Sequence, residues 1–295
     1  MDPPRDVVRT ARIDHALLIT LDNPPVNVLS RTVLDALSTR LDEAERDPEV
    51  RALVLTSPAE KVFAAGANIR EMAPMEPPEA WEHGGRGQAL TRKIERLPLP
   101  VIAAVHGVCF GGGCEIVLAC DFVVASADAQ FERPEINLGV MPGWGGTRRL
   151  PRRIGAARAR RWVLTGRPVT AEEAESAGLV DRVVPRSELL ATSLSLAEEL
   201  AAKPPLALAA AKFALPEAID ADVDRGLEYE RDLWARLFGT ESQREGMRAF
   251  LTKQPLPLRP RADWEARSVG CPWAKHSPGS ASSGKRKNAE VSGRD

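Results

Sequence analysis

Hydrophobic and polar positions fall in blocks along this chain, and each block predicts an element. Residues 7–22 (VVRTARIDHALLITLD) read as two short strands around a tight turn at Asp14-His15. Pro24 and Pro25 then impose a loop, because proline cannot donate to a strand ladder. From Ser30 the period changes. Val33, Leu34, Leu37 and Leu41 recur at helical spacing, with Ser30 as N-cap and Asp47-Pro48 as the stop. The apolar runs 52–57 (ALVLTS) and 101–107 (VIAAVHG) predict buried strands, and 62–66 (VFAAG) a short extended run into a polar helix start at Asn68. Segment 71–80, rich in proline and methionine, reads equally as a mobile loop beside a pocket or an ordinary exposed linker, and a helix follows over 87–97. Beyond about residue 145 the pattern turns helical, over 155–164, 171–177, 187–202, 205–214, 222–238 and 241–251, with one strand-like piece at 179–184. Strands alternating with helices, then mostly helices, define an α/β fold class.

Composition narrows this picture. The 295 residues are 43% hydrophobic and 27% charged, enough to bury a sizeable core. Forty Lys plus Arg against 41 Asp plus Glu leave a net charge of -1, so the whole chain makes no electrostatic case for a nucleic-acid or membrane-surface protein. Arginine supplies 32 of those 40 cations, which discounts the cluster at 148, 149, 152, 153, 158, 160 and 161 as a signal for polyanions. No run approaches the ~20 apolar residues of a membrane span, and the start, MDPPRDVVRT, resembles neither a secretory nor a transit signal. Four cysteines without metal-ligand spacing point to buried thiols and a reducing cytoplasm. The last residues, 276–295, have almost no apolar side chains and are expected to be disordered.

The chemistry concentrates in 105–146. A buried strand ends at His106-Gly107, and Gly111, Gly112 and Gly113 precede a helix-like CEIVLAC. Glycines there let the chain turn sharply, and the free N–H groups of a helix start favour developing negative charge. Glu115 lies one turn into that helix, and Glu135 follows in RPEINLG, after two further strands. Two carboxylates converging on one centre would supply a base and an acid; taken singly, each glutamate reads more readily as a solvated surface group. His106 reads as a satisfied strand-end residue. There is no dinucleotide fingerprint, phosphate-binding loop, nucleophile elbow or histidine ligand set, so metal and single-nucleophile mechanisms have no support in the motifs.

At these residues the chain resembles the crotonase superfamily of enoyl-CoA hydratases and isomerases. The matching pieces are FAAGANIREM (63–72), PVIAAVHGVCFGGGCEIVLACD (100–121), AQFERPEINLGVMPGWGGTRRL (129–150), TGRPVTAEEAESAGLVDRVV (165–184) and REGMRAF (244–250), in order over roughly 7–252. The resemblance implies a spiral of ββα units as a catalytic core (1–200), a helical oligomerisation region (201–252) that builds a trimer or a dimer of trimers, and a C-terminal extension (253–295). It implies an acyl-CoA thioester as ligand, with coenzyme A as part of the substrate and no separate cofactor or metal. By position, the Ala67 and Gly112 amides resemble the oxyanion hole. Glu115 and Glu135 resemble the two carboxylates of hydratases, one activating water and one protonating C2. Isomerases of the family often keep only the second. Ala65, Asn68, Ile69 and Gly111 resemble substrate-binding positions, and Pro142 and Gly143 the acyl side, where Trp144 either limits chain length or serves as a structural aromatic. Asn68 departs from the more usual aspartate. The arginine cluster then reads as a contact for CoA phosphates, as RNA binding, which a few relatives combine with catalysis, or, preferred here, as a solvated or subunit-facing helix; it offers only Trp162 for stacking.

Overall fold

The structure is a computed structural model and describes residues 6–256. It opens with the hairpin β1 (Val8–Ile13) and β2 (Ala16–Leu21), followed by α1 (Arg31–Arg46), whose N-cap Ser30 accepts from the Val33 amide at 3.4 Å. Such a cap is worth ~1 kcal/mol. Three ββα turns follow. The first holds β3 (Ala52–Thr56), β4 (Val62–Ala64), α2 (Ile69–Met72) and α3 (Pro77–Arg96). The second holds β5 (Val101–Val105), β6 (Val108–Phe110) and α4 (Gly112–Ala119); the third holds β7 (Phe122–Ser126), β8 (Gln130–Glu132) and a 3-10 turn, Pro134–Leu138. Each turn adds one parallel strand to a six-stranded sheet (β3, β5, β7) and one to a four-stranded sheet (β4, β6, β8). Repeating the same step in parallel register makes a spiral.

Then come α5 (Gly146–Ile154), α6 (Ala156–Thr165), β9 (Val169–Thr170), α7 (Ala171–Ala177), β10 (Arg182–Val184) and α8 (Leu189–Ala201). The described chain closes with α9 (Pro205–Asp220), α10 (Val223–Leu237) and α11 (Glu241–Thr252). Strand β5 explains why its sequence is apolar throughout: both faces are covered. Val101, Ala103 and Val105 point into the main core, whereas Ile102 and Ala104 face α8, which lies across β2, β3, β5 and β7. Lys212 ties α9 to the spiral through the carbonyls of Ile94 (3.2 Å) and Leu99 (2.8 Å) and the Asp121 carboxylate (2.7 Å).

Several expectations change. Segment 71–80 is largely helical: Glu76 and Glu79 form a capping box, and Pro77 and Pro78 start α3, where their missing N–H groups cost nothing. That helix therefore begins ten residues before the predicted 87. Residues 146–154 form a helix the pattern did not reveal, because Pro151 and four arginines blur its period. Only 182–184 of the strand-like 179–184 is a strand, while the 205 helix runs on to Asp220. The expected disorder at 276–295 and nearly all of the 253–295 extension lie outside the described residues. Among the described residues, no helix is long and apolar enough to cross a membrane, and no group of three or more His, Cys, Asp or Glu side chains could hold a metal ion.

Candidate active site

The turn from β6 into α4 is the centre of the site. Gly111 adopts φ +49° and ψ −119°, a conformation open to glycine and strained for any side chain, and no side chain caps the helix that starts at Gly112. The first N–H groups of such a helix have no partner within it. The loop carrying Ala67 lies alongside: the Leu29 amide bonds the Gly66 carbonyl at 2.8 Å, and a Cβ built on Gly66 would lie 3.6 Å from the Gly112 nitrogen. Ala65 is held by its amide to the Val26 carbonyl at 3.2 Å. Asn68 caps α2 through the Arg70 amide at 3.2 Å and donates Nδ2 to Glu71 Oε1 at 2.9 Å. An aspartate would keep the cap and lose that second bond. Ile69, by contrast, points to solvent.

Glu115 is 2% exposed. Its Oε1 accepts two backbone N–H bonds, from Trp144 at 2.8 Å and Gly146 at 2.7 Å, at the start of α5. Burial pushes the Glu115 carboxyl above its usual 4.5, with the Glu135 charge adding to the rise, while the Arg133 charge and the two amides pull the other way. Glu135 rides on the 3-10 turn with its Oε1 3.6 Å from where a Gly111 Cβ would stand. Both of its oxygens are buried without a hydrogen-bond partner. Burial pushes its carboxyl up as well, against the lowering effect of Arg133. The structure thus brings Glu115, Glu135, Gly111 and Gly112 together, with the Ala67 loop beside them.

Trp144 resolves as a wedge in the core. It is 3% exposed, and a Cβ on either Gly87 or Gly112 would land inside its indole ring. Its carbonyl takes bonds from Thr91 Oγ1 at 2.8 Å and Arg149 Nη1 at 2.9 Å, and Gly143 is tied to α3 by Gln88 Nε2 at 2.9 Å. Pro142 is buried next to Gly146, whose added Cβ would lie 3.1 Å from the Pro142 Cβ. Thr91, Gln88 and Arg133 escaped the sequence reading, and Arg149 entered it only as a member of the arginine cluster. The available signal for Arg133 is its adjacency to Pro134-Glu135. Of the cluster, Arg149 pairs with Glu95, Arg148 and Arg152 with Asp220, and Arg153 with the Cys120 and Asp121 carbonyls, while Arg158, Arg160 and Arg161 are exposed. His106 Nε2 sits 2.7 Å from the Ala59 carbonyl, and Cys109, Cys114 and Cys120 are buried free thiols.

Residues 14–260 match the sequence model of the family described as enoyl-CoA hydratase/isomerase. The chain belongs to that family. It is 38% identical over 240 residues to the short-chain-enoyl-CoA hydratase of Clostridium acetobutylicum, a match covering 81% of this chain and 92% of that protein. It is 40% identical over 243 residues to the crotonyl-CoA hydratase of Syntrophomonas wolfei, covering 82% of this chain and 94% of that protein. Among solved structures it is similar to an enoyl-CoA hydratase from Bacillus anthracis, with a TM-score of 0.81, 35% identity and coverage of 85% of this chain and 98% of that one. These likenesses agree with the spiral of ββα turns.

Proposed function

We propose that this chain catalyses the reversible hydration of trans-2-enoyl-CoA to 3-hydroxyacyl-CoA. The observation that carries the reading is the pair of buried glutamates about a helix start with free amides, one carboxylate anchored by two N–H groups and the other unpaired. The family membership and the hydratase relatives support the same reaction.

The thioester oxygen accepts from the Gly112 and Ala67 amides. Glu115, held through Oε1, leaves Oε2 to orient a water and take its proton as the oxygen attacks C3. The electron pair moves through C2 to the thioester oxygen, and the enolate is stabilised by the two amides; one such donor is typically worth ~3 kcal/mol. Glu135 in its acid form then gives its proton to C2 and the carbonyl re-forms. A raised carboxyl affinity for protons suits that step, because the acid must hold a proton near neutral pH. Proton transfer from Glu115 to Glu135 through solvent resets the pair. Ala65, Asn68, Ile69 and Gly111 are assigned to holding the CoA portion, Pro142 and Gly143 to the acyl side. Every group in the scheme comes from the chain, the substrate or water, so it calls for no separate cofactor.

Residues up to about 200 serve as the catalytic core in this reading, and 201–252 as the assembly region of a trimer or a dimer of trimers. Exposed apolar side chains on α9, α10 and α11, including Leu215, Ile219, Trp234 and Phe250, support burial against further copies of the chain. Three free thiols support a reducing, cytoplasmic setting. Crotonyl-CoA tests the activity directly: its enoyl-thioester absorbance falls when the protein is added, and Glu115→Gln and Glu135→Gln each nearly abolish the fall. Full activity in both variants overturns the assignment. Light scattering on a sizing column reads the assembly, and a monomer mass overturns that part.

A further inference from the structure

Arg133 is 4% exposed, yet its guanidinium is not fully satisfied: Nη1 donates to the Gly111 carbonyl at 2.9 Å, and Nη2 is buried without a hydrogen-bond partner. Burying such a group costs stability unless it is well paired, so packing alone is a poor reason for it. Its placement is specific. Strand β8 runs parallel to β6 with Glu132 opposite Phe110, and the Gly111 amide bonds the Glu132 carbonyl at 3.0 Å. The next residue, Arg133, therefore arrives beside the Gly111 carbonyl, and Glu135 arrives over Gly111 two residues later. One short segment grips Gly111 on both sides.

The Gly111 carbonyl and the Gly112 N–H belong to one planar peptide and point in opposite directions. A hydrogen bond to the carbonyl fixes the plane in which the N–H lies and draws electron density from it, so the N–H donates more strongly. A cationic donor does this more effectively than a neutral one. The Glu115 amide also reaches the Gly111 oxygen, at 3.2 Å, but it is neutral and already part of α4.

We propose that Arg133 is the positioning residue of the oxyanion site: through Nη1 it holds the Gly111–Gly112 peptide in place and polarises the Gly112 N–H toward the thioester oxygen. This rests on the reading that Gly112 holds that oxygen. Arg133 touches no reacting atom itself.

The test uses the full chain, crotonyl-CoA for kinetics and 4-dimethylaminocinnamoyl-CoA as the probe, whose absorbance moves to the red when its carbonyl is polarised. Arg133→Met removes the donor and the charge; Arg133→Gln keeps a neutral donor. The expected result is a red shift in the order wild type, Arg133→Gln, Arg133→Met. With it comes a fall in kcat of roughly 10-fold or more for Arg133→Met, below the ~10²–10³ of losing an oxyanion donor outright, and a smaller fall for Arg133→Gln, with KM nearly unchanged in both. If Arg133→Met does not fold, Arg133→Gln against wild type decides. A folded variant with the wild-type shift overturns the proposal, whether its activity is full or reduced, since activity lost without a change in polarisation marks an effect through the fold or through the charge on Glu115 and Glu135, not through the Gly112 N–H. A wild-type protein that binds the probe without shifting it removes the oxyanion reading itself, and the proposal with it.

Discussion

Glu115 and Glu135 face one glycine turn from two supports that differ in kind. Glu115 projects from α4, inside the spiral, and two amides of the Trp144–Gly146 turn fix its Oε1. Those amides are themselves braced by α3 through Thr91, Gln88 and the Arg149–Glu95 pair. Glu135 projects from a single 3-10 turn, and neither of its oxygens is bonded. The first arrangement suits a group that must aim a water at one carbon. The second suits a group that must keep and then release a proton, since any bond donated to its oxygens would favour the anion. Burial raises both carboxyls; the Arg133 charge and two amides of another turn offset it at Glu115, and the Arg133 charge and only the residue's own backbone amide at Glu135.

The harshest way to break this comparison is to neutralise each carboxylate. Glu135→Gln and Glu115→Gln should each lower kcat on crotonyl-CoA by ~10²–10⁴-fold, the usual worth of a positioned acid or base. Their stabilities should then separate them from ordinary destabilised variants. A carboxyl whose folded pKa is raised binds its proton more tightly when folded, so it opposes folding above that pKa, and the opposition fades as pH falls through the raised value and is gone below the ordinary 4.5. Gln at 115 carries no charge to bury and still accepts both amides. Glu115→Gln should therefore melt no lower than wild type at pH 7, and any advantage should shrink as the melts are repeated toward pH 4.

Gly87→Ala perturbs one support only. Its methyl meets the Trp144 indole, so we expect a loss of ~1–3 kcal/mol in denaturant unfolding, typical of an overpacked core. The displaced Trp144 amide should reduce kcat as well, while Glu135 keeps its surroundings. Unchanged stability would mean that Trp144 is not the wedge described above.

A milder probe is the pH profile of kcat/KM. Its acid limb, which requires ionised Glu115, should lie above the ordinary 4.5, and the alkaline limb, which requires protonated Glu135, should disappear in Glu135→Gln. An acid limb at or below 4.5 contradicts the burial argument. The smallest effect belongs to Asn68→Asp. The cap on α2 survives, but a carboxylate replaces the amide that donates to Glu71. The cost should be under ~1 kcal/mol in a thermal melt and should shrink in high salt.

Much of the fold was legible because it depends on local patterns. Ser30 announced a helix start, Asp14-His15 a hairpin, and the uninterrupted apolar run at 101–105 a buried strand. Where local signals conflicted, the reading failed. Prolines that looked like loop residues at 77 and 78 begin a helix, and arginines hid the helix at 146–154.

The chain by itself determined the period of its elements, the glycine turn before α4, the presence of two glutamates near it and the resemblance carried by its motifs. Tertiary structure decided the rest. Which amides hold Glu115, that Trp144 wedges between Gly87 and Gly112, and that Arg133 reaches the Gly111 carbonyl are all contacts between residues distant in sequence or on neighbouring strands. Periodicity shows which face of an element is buried. It cannot show what that face meets, because the partner is chosen by the register of β6 against β8 and by the packing of α3 on α4.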